Sequence, residues 1–457
     1  HLADTFGQQD VPLDRLYMDV AIYNTRISGP AHVETVANLA CRAALSQHGV
    51  AHIHFPVDLQ TQEVDPARVK RRPSLYTSST SAQGARLPYE GDMRRAAEIL
   101  NAGEKIVILA GRGALEASAE LELLAEILGA PIIKSLMGKA VVPDSSPYTL
   151  GNLGPLGTAP ALKAMKECDT LLMVGTSFPY NDYLPEPGQA SAIQIDIDPT
   201  RISLRYPVDV GLVGDSQRTI KELLPHLVHK QNRSFLETAM SDMQKWWAAI
   251  QESGNRMDKP LKPQVVAWGL SKIMADNAIV SCDTGVIAGL WARHVFAKPG
   301  QMFAISGNLA TMGCGLPYAI AAQVAFPDRP CIAFVGEGGF SMLMSEFITC
   351  VNYRLPVKVV LVRDNDFWQS LGGHLREPGN TEVAVESHPI DHAAFARACG
   401  ASGFVIDTPE DCELILAQAL NTPGPVIIET RVDTRETSMD SSIGMEAARG
   451  TDGSESG

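Results

Sequence analysis

Runs of three to six mostly apolar, often β-branched residues recur along the chain, separated by segments whose apolar positions return every three or four residues. The runs are Ile106–Ala110, Ile132–Lys134, Thr170–Val174, Ala192–Asp196 and Val210–Val213, then Ala278–Ser281, Cys331–Val335, Val357–Val362, Gly403–Ile406 and Val426–Glu429. Apolar runs without polar alternation predict strands covered on both faces, as in parallel sheets. The intervening helical periodicity, as in Ala117–Leu128 and Ala159–Lys166, supplies the covering layers. The predicted class is α/β with doubly wound parallel sheets. Nearer the start, a helix over Val33–Ser46 leads into a strand over Val50–Phe55 that Pro56 ends.

This pattern divides the chain. Residues 1–68 hold too few strands to bury a sheet alone and read as the closing part of an α/β domain. Residues 69–90 are polar and aperiodic, a linker. Residues 91–227 contain five strand candidates, enough for a doubly wound domain. Residues 228–261 form a helical connector with the pair Trp246-Trp247, which reads as packing. Residues 262–435 make a second such domain, and the small, polar residues 436–457 read as a disordered tail. The first residue is His1 rather than Met, so the sequence reads as an internal part of a longer gene product.

Composition narrows the function classes. Of 457 residues, 45% are hydrophobic and 20% charged, a globular balance. A net charge of −14 argues against a broad nucleic-acid-binding face. No stretch of about 18 apolar residues suggests a membrane span. The eight cysteines form no CxxC pair and read as small hydrophobes of a reduced, cytoplasmic protein.

Candidate chemistry concentrates after two strands. CIAFV runs into Gly336-Glu337-Gly338-Gly339 and then into a helix predicted from about Ser341. Glycines between strand and helix let the backbone approach a phosphate, and a carboxylate there can hold a hard cation. The strand VKVVLV ends at Arg363-Asp364-Asn365-Asp366-Phe367. Asn365 stands 28 residues after Glu337, the span of a βαβ crossover, so the two reach one sheet edge and can share a metal. Gly111-Arg112-Gly113 also follows a strand, though a lone GxG equally marks a tight turn.

Gly-Glu-Gly-Gly-Phe followed by helix, strand and Asp-Asn resembles the thiamine-diphosphate motif of the pyruvate oxidase and acetolactate synthase superfamily. Ser281-Cys282-Asp283-Thr284-Gly285-Val286 is similar to the family's second diphosphate loop, and Ala310-Thr311-Met312-Gly313-Cys314-Gly315-Leu316-Pro317 to the segment beneath the thiazolium. The resemblance implies Mg²⁺ held by Glu337, the Asn365 side chain and the Phe367 carbonyl. It implies thiamine diphosphate contacted by Val286, Ile287, Ala288, Ala310, Thr311, Met312, Glu337, Gly338, Gly339, Asn365, Phe367 and Trp368, with Met312 enforcing the bent cofactor. In residues 91–227, the stretches around Leu150–Gly157, Gly175–Tyr180, Gln194–Asp198 and Val213–Asp215 resemble the family's flavin-binding middle domain. The implied FAD contacts are Gly111, Arg112, Gly113, Leu153, Gly154, Leu156, Thr176, Ser177, Phe178, Pro179, Tyr180, Asp196 and Asp215. Residues 1–68 resemble the end of the pyrimidine-binding domain, so the family's activating glutamate would precede His1. No residue of this chain is assigned that catalytic role, and Glu34 reads as a surface residue.

Three departures stand out. The family's metal-turn aspartate is Glu337 here, the first asparagine of the pair is Asp364, and Phe367-Trp368 replace small residues. His374 is either catalytic or a solvated loop histidine, and Cys314 packs near Met312. The resemblance implies decarboxylation of pyruvate or a related 2-oxo acid, with electrons passed to FAD and then to a quinone or oxygen. The alternatives are an acetolactate-forming carboligase with structural FAD, or a cofactor-binding relative without turnover. A homodimer or homotetramer is implied by the same resemblance.

Overall fold

The computed structural model describes residues 7, 8, 10–63, 86–363 and 390–433. The chain forms two compact units, His1–Ala85 and Arg86–Gly457.

In the first unit, β1 (Ala21–Arg26) and β2 (Val50–His54) pair in parallel, with the helix Val33–Gln47 between them in sequence. This is one βαβ turn of an α/β domain. Val36 and Ala40, one helical turn apart, are the helix's buried positions. Glu34 is exposed on that helix, as its spacing suggests. Cys41 is exposed as well, unlike the six buried cysteines further along; Cys399 is half-buried, and all eight are free thiols.

The second unit contains two six-stranded sheets in which every pairing is parallel. The first runs in the order β5 (Thr149–Asn152), β4 (Ile132–Lys134), β3 (Ile106–Ala110), β6 (Thr170–Val174), β7 (Ser191–Asp196), β8 (Val210–Val213). All residues of β3 and β6 are buried. Ile106, Ile108 and Ala110 enter one core with the helices Glu90–Ala102, Ser118–Leu128 and Ser216–Leu223. Val107 and Leu109 enter the other, with Ala159–Glu167 and Ser234–Gly254. That two-sided burial is why the strand carries no polar alternation. Each such aliphatic side chain contributes about 1.5–3 kcal/mol.

The second sheet runs β10 (Met302–Ala304), β9 (Ile279–Cys282), β11 (Cys331–Gly336), β12 (Lys358–Arg363), β14 (Val426–Arg431), β13 (Ser402–Ile406). Ile332 and Phe334 face one core, Ala333 and Val335 the other. The long helix Ser234–Gly254 joins the two sheets' cores. Ala239, Met243, Trp246 and Ile250 pack on the first sheet, and Trp247 meets Phe296 edge-on at 4.2 Å. Both tryptophans therefore pack, as expected.

One expectation is corrected here. The helix after CIAFV begins at Glu337, not near Ser341, so Gly338 and Gly339 lie in its first turn rather than in a loop. The stretch Leu150–Asn152 belongs to edge strand β5, so only Leu153–Gly157 forms a glycine loop there.

Candidate functional site

In parallel sheets, ligands gather at the C-terminal ends of the strands. Three segments converge at that edge of the second sheet. Asp283-Thr284-Gly285 links β9 to the helix Val286–His294, with Gly285 at φ 121°. The loop Gly307–Cys314 enters the helix Gly315–Ala325, and the helix Glu337–Leu343 leaves β11.

Asp283 is the residue they share. It is 1% exposed, and its carboxylate accepts the Gly313 N–H at 2.9 Å and the Thr284 N–H at 2.7 Å. Burial pushes its carboxyl above the usual range, against these hydrogen bonds. A Cβ on Gly339 would collide with the Asp283 carboxylate, and one on Gly315 would stand 2.5 Å from Val335 Cγ1. Gly313 has φ 82°. These glycines let three backbones close on one carboxylate. Ala310 (φ 47°) and Thr311 are exposed and Met312 half-buried on the same loop, with the Thr311 N–H donating to Ser306 Oγ at 2.9 Å. The side chains of Val286, Ile287 and Ala288 are buried.

Glu337, 6% exposed, is the first residue of its helix. Among the described residues no donor hydrogen-bonds its carboxylate, and its one counter-charge is Arg363, Nε to Oε2 at 3.7 Å. Burial raises its carboxyl, Arg363 lowers it and Glu429 raises it. A buried carboxylate with no hydrogen-bond donor among the described residues fits a divalent cation. The glycine-lined approach beside it fits a diphosphate. Gly336 pairs in register with Val362, so Arg363 ends β12 level with Glu337. Asn365, Phe367, Trp368, Asp364 and His374 lie outside the described residues. Sequence reading passed over Arg363, Glu429 and His392. Glu429 is fully buried and accepts from Arg363 Nη1 at 3.1 Å. His392 is also fully buried, stands edge-on to Phe340 at 5.6 Å, and hydrogen-bonds through neither ring nitrogen among the described residues.

At the same edge of the first sheet, the loops after β3 and β6 are knitted together. The Gly113 N–H donates to the Gly175 carbonyl at 3.0 Å and the Gly111 N–H to that of Val174 at 2.9 Å. Gly175 has φ 58°, and a Cβ there would stand 2.5 Å from Gly113 C. These glycines thus serve loop-on-loop contact. Gly175→Ala should lower unfolding free energy by about 2 kcal/mol, read from the urea midpoint at unchanged slope. Gly154 (φ 103°) lies against Phe178 and Tyr180, whose rings meet edge-on at 5.6 Å. Thr176 and Phe178 are buried, Ser177 is half-buried, and Arg112, Pro179 and Tyr180 are exposed. Asp196, at the end of β7, is 8% exposed; burial raises its carboxyl, and it accepts the Asp198 N–H at 3.1 Å. Asp215 caps the next helix by accepting the Arg218 N–H at 2.9 Å. A carboxylate at a strand end beside glycine loops fits the ribose and pyrophosphate of a dinucleotide. Leu156 packs against Gly289, and Arg293 donates to the carbonyls of Gly157 and Pro155, both at 3.1 Å. The helix Val286–His294 therefore touches the diphosphate-type loop at one end and this loop at the other.

Residues 93–223 match the thiamine pyrophosphate enzyme central domain, and residues 283–430 the thiamine pyrophosphate enzyme C-terminal TPP binding domain. The chain is 39% identical over 424 residues to a putative thiamine pyrophosphate-containing protein of Bacillus subtilis, covering 93% of this chain and 72% of that protein. It is 30% identical over 432 residues to a pyruvate oxidase of Lactiplantibacillus plantarum, covering 93% and 70%. It is 30% identical over 457 residues to a probable acetolactate synthase large subunit of Methanocaldococcus jannaschii, covering 94% and 74%. Among the described residues, no helix is long and apolar enough to cross a membrane.

Proposed function

The chain belongs to the thiamine pyrophosphate-dependent enzymes, the superfamily of these pyruvate oxidase and acetolactate synthase relatives, and on that premise we propose that it decarboxylates pyruvate or a related 2-oxo acid with thiamine diphosphate and Mg²⁺ and passes the electrons to FAD. Thiamine diphosphate supplies the electron sink for loss of CO₂. The chain's own residues bind and orient. Asp283 holds the Gly313 and Thr284 amides and so fixes the approach of the Met312 loop to the glycine turn. Glu337 offers the cation a buried carboxylate, and Asn365 with the Phe367 carbonyl is proposed to complete the set. Asp196 offers an acceptor to the flavin's ribose.

The observation that carries this reading is the Glu337 carboxylate, buried at the strand-to-helix turn with no hydrogen-bond donor among the described residues. The terminal acceptor is proposed to be a quinone or oxygen, and the assembly a cytoplasmic homodimer or homotetramer.

The test is to give the complete gene product pyruvate, thiamine diphosphate, Mg²⁺, FAD and an artificial electron acceptor. The expected result is one acetate and one CO₂ per two electrons delivered, with water supplying the acetate oxygen. Acetolactate without acceptor reduction would replace the oxidase reading by carboligation. A protein that binds both cofactors yet releases no CO₂ from any 2-oxo acid would sink both.

A further inference from the structure

Arg363 sits between two buried carboxylates. Its Nε stands 3.7 Å from Glu337 Oε2, and its Nη1 donates to Glu429 Oε1 at 3.1 Å. Glu429 has other donors, Arg431 Nε at 3.0 Å and the Ala393 N–H at 3.2 Å. Glu337 has none among the described residues. Register makes the pairing unavoidable: Gly336 lies opposite Val362, and Arg363 opposite Arg431 two residues beyond Glu429. A guanidinium is always charged, and its planar fork lets one edge hold Glu429 while another faces Glu337.

We propose that Arg363 is the built-in counter-ion of Glu337 and sets how tightly the site takes a divalent cation. The inference rests on the reading of Glu337 as a metal ligand. A buried carboxylate left alone is costly, and Arg363 offsets that cost while the cation is away. An arriving cation must share Glu337 with a positive charge or displace it toward Glu429. The two like charges then stand within one low-dielectric pocket, so the internal ion pair lowers metal affinity. Arg363 touches neither substrate nor cofactor in this account; it is a positioning residue.

The test is Mn²⁺ binding without thiamine diphosphate, followed through the electron paramagnetic resonance signal of the free ion. Arg363→Gln should bind Mn²⁺ about tenfold tighter than the unmodified protein, the scale of a like-charge repulsion removed from a partly buried site. Arg363→Lys should keep the weaker affinity. Glu337→Gln should abolish the specific site in either background. The double variant Arg363→Gln with Glu429→Gln leaves no charge at Glu429 that has lost its Arg363 partner and should show the same tightening, which guards against a misfolded single variant. A damaged fold does not produce a gain in affinity. Unchanged or weaker binding in both Gln variants, with Glu337→Gln still removing the site, overturns the role of Arg363 and leaves the ligand reading standing. Binding that survives Glu337→Gln overturns the ligand reading and the inference with it.

Discussion

Asp283→Ala should weaken thiamine diphosphate binding by about two orders of magnitude or more and lower the melting temperature together with it. The carboxylate is 1% exposed and is the acceptor for the Gly313 and Thr284 amides. Removing it leaves those N–H groups in a buried setting without that acceptor, at about 1–3 kcal/mol each. The loss falls on the loop that carries Met312 and on the turn at Gly285, so binding suffers more than the remainder of the fold. Gly339, which approaches the same carboxylate, should move into the vacated space. Calorimetric titration of thiamine diphosphate and a thermal melt measure both effects. The pH dependence carries a further sign. Burial raises the Asp283 carboxyl, so the folded protein holds this proton at a pH where the unfolded chain has released it. That carboxyl therefore lowers stability as pH rises through the shifted range, and alanine should remove that slope. Tight thiamine diphosphate binding by the alanine protein would show that the amides, not the carboxylate, organise the loops.

The central strands were legible because both of their faces are covered. IVILA, TLLMV and CIAFV carry no polar alternation, and each is fully buried. The edges were not. β5 is Thr-Leu-Gly-Asn and β10 only three residues, Met302–Ala304; each has one neighbouring strand and too short a run to register as a pattern. β1 reads Ala-Ile-Tyr-Asn-Thr-Arg, with polar residues through its second half. At the candidate site the misplaced helix start has a similar cause. A Gly-Gly pair counts against helix in local propensity, but here the helix begins at Glu337 because Gly339 must pass close to Asp283.

Motif spacing found Glu337, since a carboxylate between glycines at a strand end is a local signal. It could not find what faces Glu337. Arg363 and Glu429 are 66 residues apart, and their bond depends on the strand order β11-β12-β14, which no local pattern encodes. Asp283 was visible inside a quoted motif, yet its role depends on amides of Gly313, 30 residues on. Lys134, Lys139 and Asp144 gave no signal either, because a lysine that closes a strand and two charged residues in the stretch after it form no local pattern that marks burial.

Those three residues carry the second large effect. Lys134 and Lys139 are 0% and 1% exposed, and both face Asp144, at 2.5 and 3.8 Å. Asp144 Oδ2 accepts the Ala297 N–H at 2.7 Å and its own N–H donates to the Ala297 carbonyl at 2.8 Å. Lys139 donates to the Ala292 carbonyl at 3.1 Å and lies over the Trp291 ring at 5.3 Å. The cluster thus fastens the first sheet's loop to the segment that follows the helix Val286–His294. Asp144→Ala should cost about 3–5 kcal/mol, since it strands two buried ammonium groups, and Lys134→Met somewhat less, since it takes the 2.5 Å partner from Asp144 and leaves Lys139 at 3.8 Å. Lys139→Met should behave differently. Desolvation, opposed by Asp144, holds the Lys139 ammonium down to about 8. Between about pH 8 and the unfolded value near 10.5 the unfolded chain binds more protons, so this group makes stability rise with pH in that window. At pH 7 its charge is a burden, Lys134 still neutralises Asp144, and methionine fills the same volume against Trp291. Chemical unfolding should find Lys139→Met at least as stable as the parent at pH 7, with the rise above pH 8 flattened. A loss of more than about 2 kcal/mol there, comparable with that of Asp144→Ala, would mean that all three charges hold the two sheets together as one unit.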